Sequence, residues 1–174
     1  MPGQTDHGSQ PSSKASTLRA IIQYQNYPTM DLSIHTKSFA LDIYGLSGIA
    51  ANSDYAGTAF KLSGKIWQIV KSSGLKHKGK NIWVYEKNKA VFAGLELEEL
   101  PKSDSTLEHK NIILTRYAYF KHIGPYKLLS TAGQNLYAEL KAQGFETGYP
   151  YIEIYGHWTA DETQLETELL VTLK

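Results

Sequence analysis

Two stretches of this chain repeat the same order of patterns at a separation of 70 residues. In the first, Leu62, Ile66, Ile69 and Val70 recur at i, i+4, i+7 and i+8, which is one face of a helix, and Gly74 follows where a helix can close. In the second, Leu129, Ala132, Leu136 and Leu140 recur at i, i+3, i+7 and i+11, again one face of a helix, ahead of Gly144. The offset carries on into NIWVYE (81–86) and PYIEIYG (150–156), both short, aromatic and β-branched as strands prefer. It places Tyr85 on Tyr155 and Trp83 on Glu153. Each is followed by a turn and a further strand, AVFAGLELEEL (90–100) and LETELLVTLK (165–174). Each helix is preceded by a strand that runs into a glycine, FALDIYGLSG (39–48) and TRYAYFKHIG (115–124), here about 76 residues apart.

Each half therefore reads β-α-β-β, over about 31–100 and 111–174, with PKSDSTLEHK (101–110) as a polar linker. The expected fold is α+β: a duplicated β-α-β-β unit whose strands join in one antiparallel sheet. Two main helices would lie on one side, leaving a concave face and a pocket at the pseudo-two-fold seam.

Strand alternation nominates the residues of that pocket. In Tyr151-Ile152-Glu153-Ile154-Tyr155, the two isoleucines share one face, assigned here to the helices, and Tyr151, Glu153 and Tyr155 share the other. In the first half Ile82 and Val84 would meet the helices while Trp83 and Tyr85 join the aromatic side. A carboxylate among aromatic rings suits a lipophilic cation, through Coulomb attraction and cation–π contacts worth roughly 0.5–2 kcal/mol each. Alternation alone leaves open a solvated face with ordinary cross-strand tyrosines. In Arg116–His122 both faces carry aromatics, so parity does not choose a side; Tyr119 and its counterpart Tyr44 are the candidates there. His122, before a Gly-Pro turn, reads as structural.

Composition narrows the function classes. Of the 18 basic and 17 acidic residues, Lys14, Arg19 and Asp6 fall in 1–30, so the remaining 144 residues hold 16 of each sign. A neutral body with only Arg19 and Arg116 as arginines argues against phosphate-backbone binding. The cluster Lys71, Lys76, Lys78 and Lys80 follows a helix end, where cations favour the dipole, and reads as a solvated loop. The chain contains no cysteine, which removes disulfides and thiolate chemistry. Its histidines lack metal-ligand spacing, and neither a nucleophile elbow nor a phosphate-binding glycine loop occurs, so no metal or cofactor is expected. Residues 1–30 read as a flexible leader, disordered over 1–17, too polar for a secretory signal and too short for a helix-turn-helix module. The expectation is a stand-alone cytoplasmic protein with no membrane segment. Twelve tyrosines suit walls that hold varied ligands.

YAYFKHIGP (117–125) resembles the Tyr-Ala-x-Phe-x-His-x-Gly-Pro entry strand of GyrI-like small-molecule-binding domains. NLYAELKAQGF (135–145) is similar to the helix of that family, YIEIYG (151–156) to its Glu-x-Tyr strand, and TELLVTLK (167–174) to its closing strand, with Thr172 where the family has proline. The first-half pieces DIYGLSG (42–48), KIWQIV (65–70) and WVYE (83–86) are consistent with its N-terminal repeat. The resemblance, over about 31–174, implies a duplicated fold that binds small, often cationic, lipophilic compounds, and it carries the family's pocket glutamate onto Glu153. It implies multidrug sensing linked to a transcription regulator, or inhibition of DNA gyrase. Some members hydrolyse strained cyclopropane compounds, which would make Glu153 a catalytic base or nucleophile.

Overall fold

The computed structural model describes residues 31–101 and 105–174, and the leader expected over 1–30 lies outside them. The elements run β1 (Leu32–His35), β2 (Phe39–Ile49), α1 (Tyr55–Ser73), β3 (Ile82–Tyr85), β4 (Ala90–Leu95), β5 (Glu108–Leu114), β6 (Tyr117–Ile123), α2 (Leu129–Ala142), β7 (Thr147–Tyr155) and β8 (Glu166–Leu173). Helix α1 starts at Asp54, whose carboxylate accepts the Gly57 amide at 2.9 Å, and stops at Gly74 with φ 65°. Gly144, past the end of α2, has φ 80°. Both glycines thus act where the periodicity places the helix ends.

Each half has one more strand than the sequence pattern showed. The expected linker 101–110 gives its last three residues to β5, and residues 32–35 form β1, so the halves are β-β-α-β-β. β4 ends at Leu95 rather than at 100. The eight strands form one antiparallel sheet in the order β1-β6-β8-β7-β3-β4-β2-β5. Exchanging β1–β4 with β5–β8 reproduces this order read backwards, so the β3–β7 seam lies at its centre. The first strand of each half crosses to pair with the second strand of the other.

This order forces the sheet to roll. In a flat sheet β5 and β6 would lie about 29 Å apart, at about 4.8 Å per strand. Only Thr115 and Arg116 join them, and three Cα–Cα steps reach at most about 11 Å. The two ends of the sheet therefore come together, as the Phe39 and Tyr117 rings do at 5.8 Å.

Rolling gives the sheet an inner face that closes on itself. Leu41, Ile43, Ile82, Val84, Phe92 and Ile152 pack there with Ile112, Leu114, Ile154 and Leu170, without any helix. The outer face carries the helices: Ala59, Leu62, Ile66 and Val70 of α1 pack on Tyr85, Val91, Ala93 and Leu95, with Trp83 and Tyr151 at the margin. The expected assignment of faces is thus reversed. Ile152, Ile154, Ile82 and Val84 point away from the helices, because the purely aliphatic face fills the interior of the roll. The mixed aromatic face, which holds Glu153, lies under the helices. Thr172, the departure from the family pattern, donates its hydroxyl to the Pro150 carbonyl at 2.7 Å and so ties β8 to β7.

Candidate functional site

The centre of the symmetric strand order falls on one cross-strand pair, Trp83 opposite Glu153, flanked by Tyr85 opposite Tyr151. At this one pair, residues matched by the 70-residue offset face each other across the seam, one half supplying an indole and the other a carboxylate. Around them the rings pack tightly: Tyr85 stacks on Tyr151 at 5.5 Å between centroids, and Trp83 leans on Tyr155 at 4.5 Å.

Three phenols converge on the carboxylate. Tyr155 and Tyr85 donate to Glu153 Oε2 at 2.7 and 3.0 Å, and Tyr151 donates to Oε1 at 3.0 Å. A carboxylate can accept about four hydrogen bonds, so one position is left. No Lys, Arg or His pairs with Glu153 among the described residues. Burial pushes its pKa above the usual carboxylate range, and the three phenol bonds oppose that shift without cancelling it. Burial, with the facing carboxylate adding to it, holds the Tyr85, Tyr151 and Tyr155 hydroxyls far above the ordinary phenol range, so they remain donors.

Above this cluster, between α1 and α2, lies a cavity of about 1040 Å³. Its floor is Trp83, Tyr85, Tyr151, Glu153 and Tyr155. Five of the seven expected site residues thus stand together. The cavity lies on the helix side of the sheet rather than on a helix-free concave face.

The other two expected residues lie elsewhere. Tyr119 packs against the inner aliphatic core, because its partner across β8 is Leu170 and the rolled face takes that parity. Tyr44 is on the helix side but stacks on His109 at 4.8 Å, beside the β2–β5 edge and outside the cavity. His122 is buried at the Gly124–Pro125 turn, 3.4 Å from the Pro125 carbonyl, and does not line the cavity. In the lysine cluster Lys78 pairs with Glu96 at 3.0 Å and Lys80 with Glu168 at 3.8 Å. Among the described residues no group of three His, Asp or Glu could hold a metal.

The sequence pattern missed the walls. Phe60, Gly64 and Trp67 line the cavity at i, i+4 and i+7 of α1, a stripe next to the core stripe and readable in principle from the same periodicity. Tyr137 of α2 tilts against Tyr151 at 5.9 Å, and burial pushes its hydroxyl up to about 12. Tyr126 meets the Tyr155 ring edge-on at 5.3 Å. The indole N–H groups of Trp83 and Trp67 are committed within the protein, Trp83 to Ser63 Oγ at 2.7 Å and Trp67 to Asn81 Oδ1 at 2.8 Å, while the third indole of the walls is that of the exposed Trp158. Trp83 and Trp67 therefore offer the cavity ring faces rather than free indole donors.

The phenol network makes an expectation that needs no ligand. Tyr155→Phe removes the shortest bond to Glu153, so the carboxyl pKa should move further up than in the parent. An NMR titration of the Glu153 side-chain carbonyl checks this. An unchanged or lower value would mean that Tyr155 does not hold the charge.

No protein-family profile matches the chain, and no curated protein does. Solved structures do match its fold. The EcmrR C-terminal domain superposes with a TM-score of 0.65 at 20% identity, covering 84% of this chain and 99% of that one. EcmrR in its DNA complex gives 0.66 at 16% identity over 93% of this chain, which spans 64% of that longer protein. SAV2435 bound to tetraphenylphosphonium gives 0.57 at 13% identity, covering 83% and 94%. A hydrolase from Listeria innocua gives 0.51 at 9% identity, covering 90% and 98%. These likenesses concern the fold, and they bear out the GyrI-like resemblance at that level. Among the described residues no helix is long and apolar enough to cross a membrane.

Proposed function

From the GyrI-like fold of this chain we propose that it is an effector-binding protein for amphiphilic cations, with Glu153 as the counter-charge and Trp83, Tyr85, Tyr151 and Tyr155 as the floor of the binding site. The observation that carries this reading is a buried carboxylate, held by three phenols and, among the described residues, by no cation, at the bottom of a large aromatic cavity. A lipophilic cation would supply the missing charge and cover the rings with its apolar surface. That SAV2435, of the same fold, is bound to tetraphenylphosphonium supports the choice of ligand class. The setting we propose is cytoplasmic drug sensing or sequestration, coupled to a transcription regulator or to gyrase through a partner that a pull-down would identify.

Trp83 lies on the cavity floor, so tetraphenylphosphonium should change tryptophan fluorescence saturably, in the micromolar range, about −8 kcal/mol. Trp83→Phe should reduce that response, with Trp67 and Trp158 of the walls supplying the remainder, while calorimetry still detects binding. Identical responses in parent and variant would take Trp83 out of the site.

A second reading rests on the same carboxylate, whose protonated phenol neighbours could serve as acids while Glu153 acts as base or nucleophile on an electrophilic compound. The fold shared with a Listeria innocua hydrolase favours testing it. Multiple turnovers of a strained cyclopropane substrate, lost in Glu153→Gln, would establish hydrolysis. A stable stoichiometric complex without product would establish binding alone.

A further inference from the structure

The buried stripe of α2 has a gap. Leu129, Leu136 and Leu140 face the sheet with half-buried Ala132 between them, and Gly133 occupies the adjacent i+4 position from Leu129, where a large apolar side chain would widen the stripe. Glycine in the middle of a helix is less favourable than alanine by about 1 kcal/mol. No backbone geometry calls for it, since Gly133 is absent from the positive-φ glycines. No crowding calls for it either: an added Cβ would meet only the Tyr151 hydroxyl, at an ordinary 3.5 Å.

The gap is a second cavity. It measures about 390 Å³, within the range of about 300–1,000 Å³ usual for small-molecule sites. Leu129, Gly133, Tyr137 and Tyr151 form it, Glu153 stands at its inner end, and Ser130 and Gln134 stand on α2 where it opens to solvent. Leu129, Ser130, Tyr137, Tyr151 and Glu153 border both this space and the main cavity, so it is an adjoining lobe that Gly133 and Gln134 alone set apart. On α1 another mid-helix glycine, Gly64, lines the main cavity with nothing within 4 Å of where its Cβ would be. Each helix omits a side chain where it lines the site.

We propose that the space under α2 is a second subsite of the binding site, held open by Gly133. It would take an aryl-sized arm of the ligand whose charged centre sits at Glu153. The proposal rests on the reading of the main cavity given above and adds a shape requirement to it. The ligand is branched at its cationic centre, with one arm between the helices and another beneath α2. The second arm lies against Leu129, Tyr137 and Tyr151. A hydroxyl, ether or amide at its tip would meet the Ser130 hydroxyl and the Gln134 carboxamide. Gly133 is then the residue that sets how bulky a second arm the site accepts. A cation with one aryl arm and otherwise methyl groups would use only the main cavity.

The test compares two probes, tetraphenylphosphonium and phenyltrimethylammonium, on the parent and on Gly133→Leu, with affinities measured by calorimetry. The leucine should add to the apolar stripe and take up the part of the space next to Tyr151 that an aryl arm would need. Tetraphenylphosphonium should then bind roughly thirtyfold more weakly, the worth of one buried aryl arm, and phenyltrimethylammonium within threefold of the parent. Equal loss of both probes, or of neither, would overturn the subsite. A parent that binds neither probe would instead overturn the reading of the main cavity, and the subsite with it. A second measurement is independent of how the variant folds. In the parent complex, nuclear Overhauser contacts should join tetraphenylphosphonium aryl protons to the Gly133 Hα and the Gln134 side chain, which border the second space alone. Contacts that omit both Gly133 and Gln134 would overturn the proposal.

Discussion

Glu153→Gln should weaken tetraphenylphosphonium binding by about 30-fold to several thousand-fold, and yet raise the melting temperature of the ligand-free protein at pH 8. The two effects share one cause. Removing the partner of a desolvated charge costs roughly 2–5 kcal/mol of binding, at about 1.4 kcal/mol per tenfold. In the empty protein the same charge is a burden, because burial raises the Glu153 pKa even against the Tyr85, Tyr151 and Tyr155 bonds. Glutamine keeps the shape, its carbonyl still accepts from the phenols, and a rotated phenol can accept from its amide.

The sign of the pH dependence follows from the direction of the shift. The unfolded chain loses this proton near the ordinary carboxylate value, about 4.3, and the folded chain only at a higher pH. Between the two values the folded state binds more protons. Stability of the parent should therefore fall as pH rises across that window and level off above it. Cation affinity should rise over the same interval as the carboxylate ionises. The variant should lack both slopes. Denaturant melts and calorimetry from pH 4 to 9 check this. A variant that melts no higher than the parent and binds the cation equally well would place Glu153 outside the binding site.

Phe92→Ala should have the opposite profile, a large loss of stability with cation affinity intact. Phe92 is the largest of the fully buried side chains, packed inside the roll with Ile43, Ile82, Val84 and Ile152. Its truncation should cost about 3–5 kcal/mol, the loss of its transfer energy plus an unfilled cavity. For a body of this size that is a fall in melting temperature of about 10 °C. The side chain lies on the far face of the sheet from Glu153, so binding measured well below the melt should stay within threefold. A matching loss of affinity would show that the interior packing sets the floor of the site.

Local chemistry makes part of this legible in the chain itself. The helix ends at Gly74 and Gly144 follow from apolar periodicity and from the freedom of glycine at positive φ, both short-range properties. The grouping of Tyr151, Glu153 and Tyr155 on one face, with Trp83 and Tyr85 on the same face of the neighbouring strand, follows from the two-residue period of a strand. The correspondence of Trp83 with Glu153 follows from the 70-residue offset, whereas their meeting at the seam comes from the strand order.

Which face the helices cover was decided elsewhere. That choice depends on β1 pairing with β6 and β2 with β5, contacts between residues roughly 60 to 90 apart, which bring the two ends of the sheet together. Once the sheet rolls, aliphatic Ile82, Val84, Ile152 and Ile154 fill its interior, and the aromatic face is left for α1 and α2. The same closure sends Tyr119 inward, although β6 has aromatics on both faces and alternation gives no preference. The cavity walls at Phe60, Trp67 and Tyr137 come from how two helices sit over one carboxylate. No period within a single segment encodes that distance; it is set by long-range strand pairing and by the volume of the side chains that fill the roll.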